Sequence, residues 1–309
     1  MKRFVLKTSG LLAVLVIVLC GCKKPTEIWY VQPEYEKAWN LVLQKTIAPR
    51  YFSTSVQLWG KDTPPPESGI FITSRFGQNQ GRIQVYYRLS DKQEYQGARV
   101  LAVDPWMIFS RQTNPGLSVD RAVSDKGGDG VLLIPGIDLA AVNAWTARLI
   151  QESPGVFSIG DNAWRQSRST LFKGSRFPRE AESYSWQDVL LRLMGNERVW
   201  VYAPLSVIRS YPNFQKTILD VSAFPEEAEN NEYSLHADIL WAVPSGADKK
   251  NDKQLAQTLD WLGKYETQTI IADVLGWIPA DPGGLPLDSV SVESHRNWLG
   301  ASYIYTVNE

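Results

Sequence analysis

Side chains able to do chemistry are few in this chain of 309 residues, and they are scattered. There are two histidines, His236 and His295, and two cysteines, Cys20 and Cys22. No G-x-S-x-G, H-E-x-x-H or G-x-x-x-x-G-K-[ST] pattern is present to mark a nucleophile, a zinc site or a phosphate cradle. His236 lies in the strand-like run SLHADILWAVP (234–244), where a lone imidazole reads as a satisfied structural residue rather than a general base. Glu226 and Glu227 share a polar loop with Glu229 and Glu232. Glycoside hydrolysis needs two carboxyls facing each other across a cleft, so a solvated acidic surface explains these four better. The DKGGDG turn (125–130) lacks the alternating acidic ligands of a calcium loop. Catalysis is therefore not expected, and neither a cofactor nor a metal is.

Cys22 has chemistry of a different kind. Lys2, Arg3 and Lys7 precede nine unbroken apolar residues, Leu11–Leu19, and Leu19-Cys20-Gly21-Cys22 follows at once. A basic start, a short apolar run and a small-residue cleavage site make an export signal too short to span a bilayer comfortably. The tetrad looks like a bacterial lipobox, which makes residues 1–21 a signal peptide and Cys22 the acylated N-terminus of a tether over 22–26. Two or three acyl chains, at about 0.8 kcal/mol per buried methylene, anchor a protein stably without a membrane-spanning helix. Cleavage takes three of the 32 Lys and Arg and no acidic residue, which leaves 29 basic against 33 acidic side chains. This balance, with no basic block, argues against nucleic acid as a partner. With Cys22 acylated and Cys20 removed no disulfide can form, so stability must come from packing.

Twelve tryptophans, all beyond Cys22, are more than ordinary usage. Indoles stack on the apolar faces of sugar rings, although most of the twelve are expected in cores.

The elements that position these residues begin with a strand over Glu27–Gln32 and a helix from Pro33 to about Ile47. A second strand over Tyr51–Trp59 completes a β-α-β start and points to an α/β sheet. Pro64-Pro65-Pro66 marks a loop. Ile70–Ser74, Arg82–Leu89, Arg99–Val103 and Trp106–Ser110 read as strands, with Asp104-Pro105 as a crossing point between the last two. Val131–Pro135 reads as a buried strand, and Asp138 as the cap of a helix bearing Leu139, Val142, Trp145 and Leu149. Ser185-Trp186-Gln187-Asp188 has the form of a capping box, with Gly195 closing its helix. A strand over Arg198–Ala203 leads into a helical turn at Pro204. After the strand over 234–244, Asn251 or Asp252 caps a helix with Leu255, Ala256, Leu259 and Leu262 in register. A further helix carries Ile270, Ile271, Val274 and Leu275 and stops at Gly276.

Residues 221–280 resemble extracellular solute-binding proteins of the sugar type, the receptors that feed ABC importers. The matching features, in order, are Phe224-Pro225, Val243-Pro244-Ser245, Lys249-Lys250-Asn251-Asp252, Ala256 with Trp261-Leu262, Glu266 with Gln268, and Gly276-Trp277-Ile278-Pro279-Ala280. The resemblance implies an α/β, two-lobe, periplasmic-binding-protein-like fold of type II, with interleaved lobes, a hinge and a reduced first lobe. Lobe 1 would be 25–103 plus 231–276, and lobe 2 would be 104–230 plus 277–309, with crossings near Asp104, Asn230 and Trp277. In such a fold, ligand contacts come from strand ends and crossings, which makes Trp29, Tyr30, Trp59, Trp106, Trp277 and Asp138 the candidates. A tryptophan among them must keep one face open to water if it is to stack on a ligand.

The function so implied is a lipid-anchored extracytoplasmic receptor that captures a small solute, with a carbohydrate as the candidate, and delivers it to ABC permease subunits. The alternative is a lipoprotein that keeps the fold for a structural or interaction role and binds no small molecule. Pro204-Leu205-Ser206, where sugar receptors often carry an aromatic residue, favours that alternative. The short stretch between Trp59 and Trp106 favours it too.

Overall fold

The computed structural model describes residues 27–46, 54–59, 69–74, 76, 83–87, 94–95, 97–111, 131–152, 171–173, 177–195, 198–212, 214, 219–222, 234–245, 252–284 and 288–307. Cys22, the tether, Glu226, Glu227 and Asn230 lie outside them.

The chain opens with strand β1 (Glu27–Val31), a single 3-10 turn (Pro33–Tyr35) and helix α1 (Glu36–Lys45). Strands β2 (Thr54–Leu58), β3 (Gly69–Thr73), β4 (Ile83–Tyr87), β5 (Glu94–Tyr95) and β6 (Ala98–Arg111) follow. Next come β7 (Val131–Leu133), α2 (Leu139–Glu152), α3 (Trp186–Met194), β8 (Val199–Pro204), α4 (Leu205–Ser210) and β9 (Leu219–Ser222). The last third holds β10 (Ser234–Ser245), α5 (Asp252–Leu262), α6 (Tyr265–Leu275), β11 (Ile278–Pro279), α7 (Ser289–Gly300) and β12 (Tyr303–Val307).

Hydrogen bonding orders the main path of the sheet β2-β1-β3-β10-β6-β8-β7. The β1-α1-β2 unit is parallel, as a crossover helix requires, and β1 also pairs in parallel with β3. Two long strands then knit the molecule together. β10 pairs antiparallel with β3 through Trp241–Ser245, and its first residues, Ser234–His236, pair with β12. β6 pairs with β10 from Arg99 to Pro105 and with β8 from Trp106 to Ser110.

β6 therefore runs unbroken through Asp104-Pro105, where the sequence suggested two strands. Pro105 has no N–H to give a ladder. It sits where β6 passes from one ladder to the next, so the missing donor costs little.

Two apolar cores flank this crossing. One packs α1, α5 and α6 on β1 and β3, with Trp29, Trp39, Ile70, Leu262 and Ile271 buried and Leu259 half-buried against them. The other packs β6, β8, α2, α3 and α7 around Phe109, Trp145, Leu190, Tyr202 and Trp298. Helix ends follow local chemistry. The Ser185 hydroxyl accepts from the Asp188 N–H, and the Asp188 carboxylate accepts from the Ser185 N–H, a complete capping box. Gly276 ends α6 at φ 75°, in the left-handed region glycine enters freely. Among the described residues no helix is long and apolar enough to cross a membrane.

Candidate functional site

The carboxyl ends of β1, β2 and β3 point towards the crossing from one side, and those of β7 and β8 approach it from the other. Open α/β sheets bind ligands at such strand ends. At the ends of β1 and β3 the Gln32 Oε1 accepts from the Ser74 N–H at 2.9 Å, and the Tyr35 phenol is hydrogen-bonded to Ser74. Tyr35 also meets Trp277 edge-on, with ring centroids 6.1 Å apart.

The floor is made by β6 and β10, where Asp104 stands directly opposite Asp238. Period-two alternation sends Asp104 and Trp106 to one face of β6, and His236 and Asp238 to the matching face of β10. Two carboxylates thus share one face of the sheet. Asp104 is fully buried, and its oxygens accept from the Ser206 N–H at 2.9 Å and from the Ser206 hydroxyl. Asp238 is half-buried and accepts from the Trp106 indole N–H at 3.3 Å. Burial first, and the Asp238 charge second, push the Asp104 carboxyl up to about 7, against the lowering effect of Ser206. The Tyr35 phenol is raised above its usual value by burial, with Asp238, Glu34 and Asp104 adding to the effect.

Aromatic rings form the wall. Trp106 lies 5.1 Å from His236, nearly parallel, and 6.2 Å from Trp186. His236 is stacked between Trp106 and Tyr305, only 4% exposed, and burial lowers its imidazole to about 3. The expectation of a satisfied histidine is corrected in one respect: both of its ring nitrogens lack a hydrogen-bond partner among the described residues. Beside this wall Asp138 caps α2, accepting from the Ala141 N–H at 2.8 Å, and its other oxygen accepts from the Trp186 indole N–H at 2.9 Å. Neighbouring Ile137 is 56% exposed. Behind the crossing Arg209 on α4 turns away from the carboxylates. It reaches Asp273 and Asp288, each at 3.5 Å, and the Trp277 carbonyl at 3.3 Å.

The six sequence candidates separate on this geometry. Trp106, Trp277 and Asp138 flank the crossing, but Trp106 is 4% and Trp277 8% exposed, so neither presents an open indole face. Trp59 follows β2, half-exposed, with its ring edge-on to Phe71. Tyr30 stacks on the same Phe71, on the face of β1 opposite Trp29. Trp29 is enclosed by Trp39 and Trp261 in the first core, where it can only pack. Asp104, Asp238, Ser206, Tyr35 and Trp186 were not singled out by sequence as binding residues. A signal existed for the first two, since each is a lone carboxylate inside an apolar strand, RVLAVDPWMIF and SLHADILWAV. Among the described residues no group of three or more His, Cys, Asp or Glu could hold a metal.

Neither a protein-family model nor a curated sequence relative matches the chain. Solved structures do. The bacterial solute receptor AcbH, whose described preference is for β-D-galactopyranose, is 12% identical, with 90% of this chain and 88% of that one covered at a TM-score of 0.61. The Bordetella ferric binding protein is 15% identical over 86% and 90%, with a TM-score of 0.54. Thiaminase I of Clostridium botulinum, solved with thiamin, is 12% identical over 87% and 88%, at 0.51. The chain has the mixed α/β fold of periplasmic binding proteins.

Proposed function

We propose that the chain is a lipid-anchored extracytoplasmic receptor for a small solute, held at the membrane by acylated Cys22 and serving an ABC importer. Its lobes would be 25–103 plus 231–276 and 104–230 plus 277–309, with Asp104 at the hinge between them. The observation that supports this reading is the crossing itself. Two cores share β6 and β10, and a polar, aromatic cluster is lodged where the two strands pass between them. The solute receptors of the same fold are consistent with it.

A carbohydrate is the solute that tryptophan abundance suggests, and Trp59 and Trp186 are half-exposed indoles with surface to stack on one. A second reading, a receptor fold retained for a structural role, draws on the enclosure of Trp106 and Trp277 and on the use of Ser206 to tie down Asp104.

Thermal shift on the mature chain from Lys23, against a panel of sugars, amines and amino acids, separates the two. A bound solute at a hundredfold excess over Kd stabilises by about 2.7 kcal/mol, whereas a panel without a single shift favours the structural role. Labelled fatty acid should enter the wild type and not Cys22→Ser.

A further inference from the structure

The pair of facing carboxylates asks for something that a neutral sugar does not bring. Like charges directly opposite on neighbouring strands repel, and burial strengthens that repulsion. Such a pair is relieved either by a shared proton or by a cation. Asp238 and Tyr35, both half-buried, place part of the cluster within reach of solvent. A second, separate observation lies two residues along β10. The His236 imidazole is enclosed on the same face of the sheet, with both nitrogens unpartnered among the described residues, so hydrogen-bonding capacity is left over beside the carboxylates. Half-exposed Trp186 and Tyr35 offer aromatic faces on opposite sides of the crossing, the surfaces that attract an organic cation.

We propose that the solute is an organic cation, a protonated amine, seated at the crossing with its N–H groups donating to the Asp238–Asp104 pair and its carbon skeleton against Trp186 and Tyr35. The inference rests on the receptor reading and narrows it to a substrate class. The balance is an exchange of charge, in which the ammonium enters and the proton held on Asp104 leaves to solvent. Other titratable groups face the pair: the Tyr35 phenol from the 3-10 turn, exposed Glu34 beside it, and His236 from β10. Arg209 of α4 is directed to Asp273 and Asp288. Burial keeps Tyr35 protonated and His236 neutral around neutrality, so Asp104 is the group that exchanges its proton there.

Calorimetric titration of the mature chain with putrescine, methylamine and D-galactose tests the class. An amine should bind, with Kd falling up to tenfold per pH unit up to about pH 7 and levelling above, and with a proton released into the buffer. Asp238→Asn should weaken amine binding at least tenfold and move the proton release to lower pH, because burial alone still raises Asp104. Trp186→Ala, which leaves the carboxylates intact, should weaken binding and keep the proton release. Galactose binding with no amine binding overturns the cation inference and leaves the receptor reading standing. If neither amine nor galactose binds between pH 6 and 8, the cation inference falls, and the wider panel of sugars, amines and amino acids decides the receptor reading. Amine binding that is indifferent to pH and to Asp238→Asn overturns the assigned seat.

Discussion

The tryptophans of the first core and those at the crossing have the same side chain in two different uses. Trp29 and Trp39 pack against each other with centroids 5.5 Å apart, and neither indole N–H finds a partner among the described residues. Trp106 and Trp186 are also in ring contact, but each donates its N–H to a carboxylate, Asp238 and Asp138 respectively. Trp29 and Trp39 give up the polar handle for packing area, whereas Trp106 and Trp186 keep it and hold an acidic group in a fixed orientation. A carboxylate partner for the N–H therefore separates Trp106 from Trp29, two residues that position at a strand end had grouped together.

The largest effect should come from breaking the first kind of use. Trp29→Ala and Trp39→Ala should each cost about 3–5 kcal/mol of unfolding free energy, measured by denaturant titration, and Trp29→Phe noticeably less. Trp186→Ala should cost far less, because Trp186 is half-exposed. If Trp186→Ala is as damaging as Trp29→Ala, the division by N–H partner is wrong. Within the same core, Ile271→Ala should cost about 2–5 kcal/mol, and Leu259→Ala less, since Ile271 is enclosed and Leu259 is half-buried.

Much of the fold is legible in the sequence, because local chemistry sets it. The β-α-β start, the capping box at Ser185, the Asp138 cap and the glycine stop at Gly276 follow from residue types within one helical turn. What escaped is what depends on distant partners. β6 reads as two strands because Pro105 interrupts it, and its continuity is set by the change of partner from β10 to β8. Helix α7 escaped for a related reason. Its buried side includes Ser291, Ser294 and His295 beside Val290 and Trp298, so no apolar stripe announces it. At the site, Asp138 was visible as a cap, but the facing of Asp104 and Asp238, 134 positions apart in sequence, is a matter of register alone.

The two polar residues of the crossing should also betray themselves through pH, in opposite senses. Asp104 holds its proton up to about pH 7 in the fold, against an ordinary value of 3.8. Its stabilising contribution is thus full below about pH 4 and lost as pH rises through 7. His236, at about 3 in the fold against 6.5, contributes above 6.5 and loses that contribution as pH falls. Between roughly pH 4 and 6.5 the two proton balances cancel, so these groups leave the wild-type melting temperature flat there. His236→Phe should unmask a protein that melts higher at pH 5 than at pH 8. Asp104→Asn should unmask the reverse, a melting temperature falling as pH drops from 7 to 4. For a chain of this length each kcal/mol is about 2–4 °C, well within calorimetric reach. Identical pH profiles for wild type and both variants would remove the carboxylate–imidazole contrast.

The smallest effect tests whether Asp138 belongs to the helix or to the wall. One of its oxygens caps α2 through the Ala141 N–H and the other accepts from Trp186. Asparagine is as good a cap as aspartate and keeps one acceptor oxygen, while alanine removes both functions, at a cost of about 0.5–2 kcal/mol for the cap. Asp138→Asn should therefore leave stability close to wild type while giving up one of the two acceptors. Because the cap fixes the side chain, the acceptor lost should be the one facing Trp186, and the change should appear in Trp186 fluorescence rather than in melting temperature. Asp138→Ala should change both. Should Asp138→Asn destabilise as much as Asp138→Ala with Trp186 fluorescence unmoved, the carboxylate serves the helix by its charge at the α2 terminus, and Trp186 would have to be counted with the packing tryptophans.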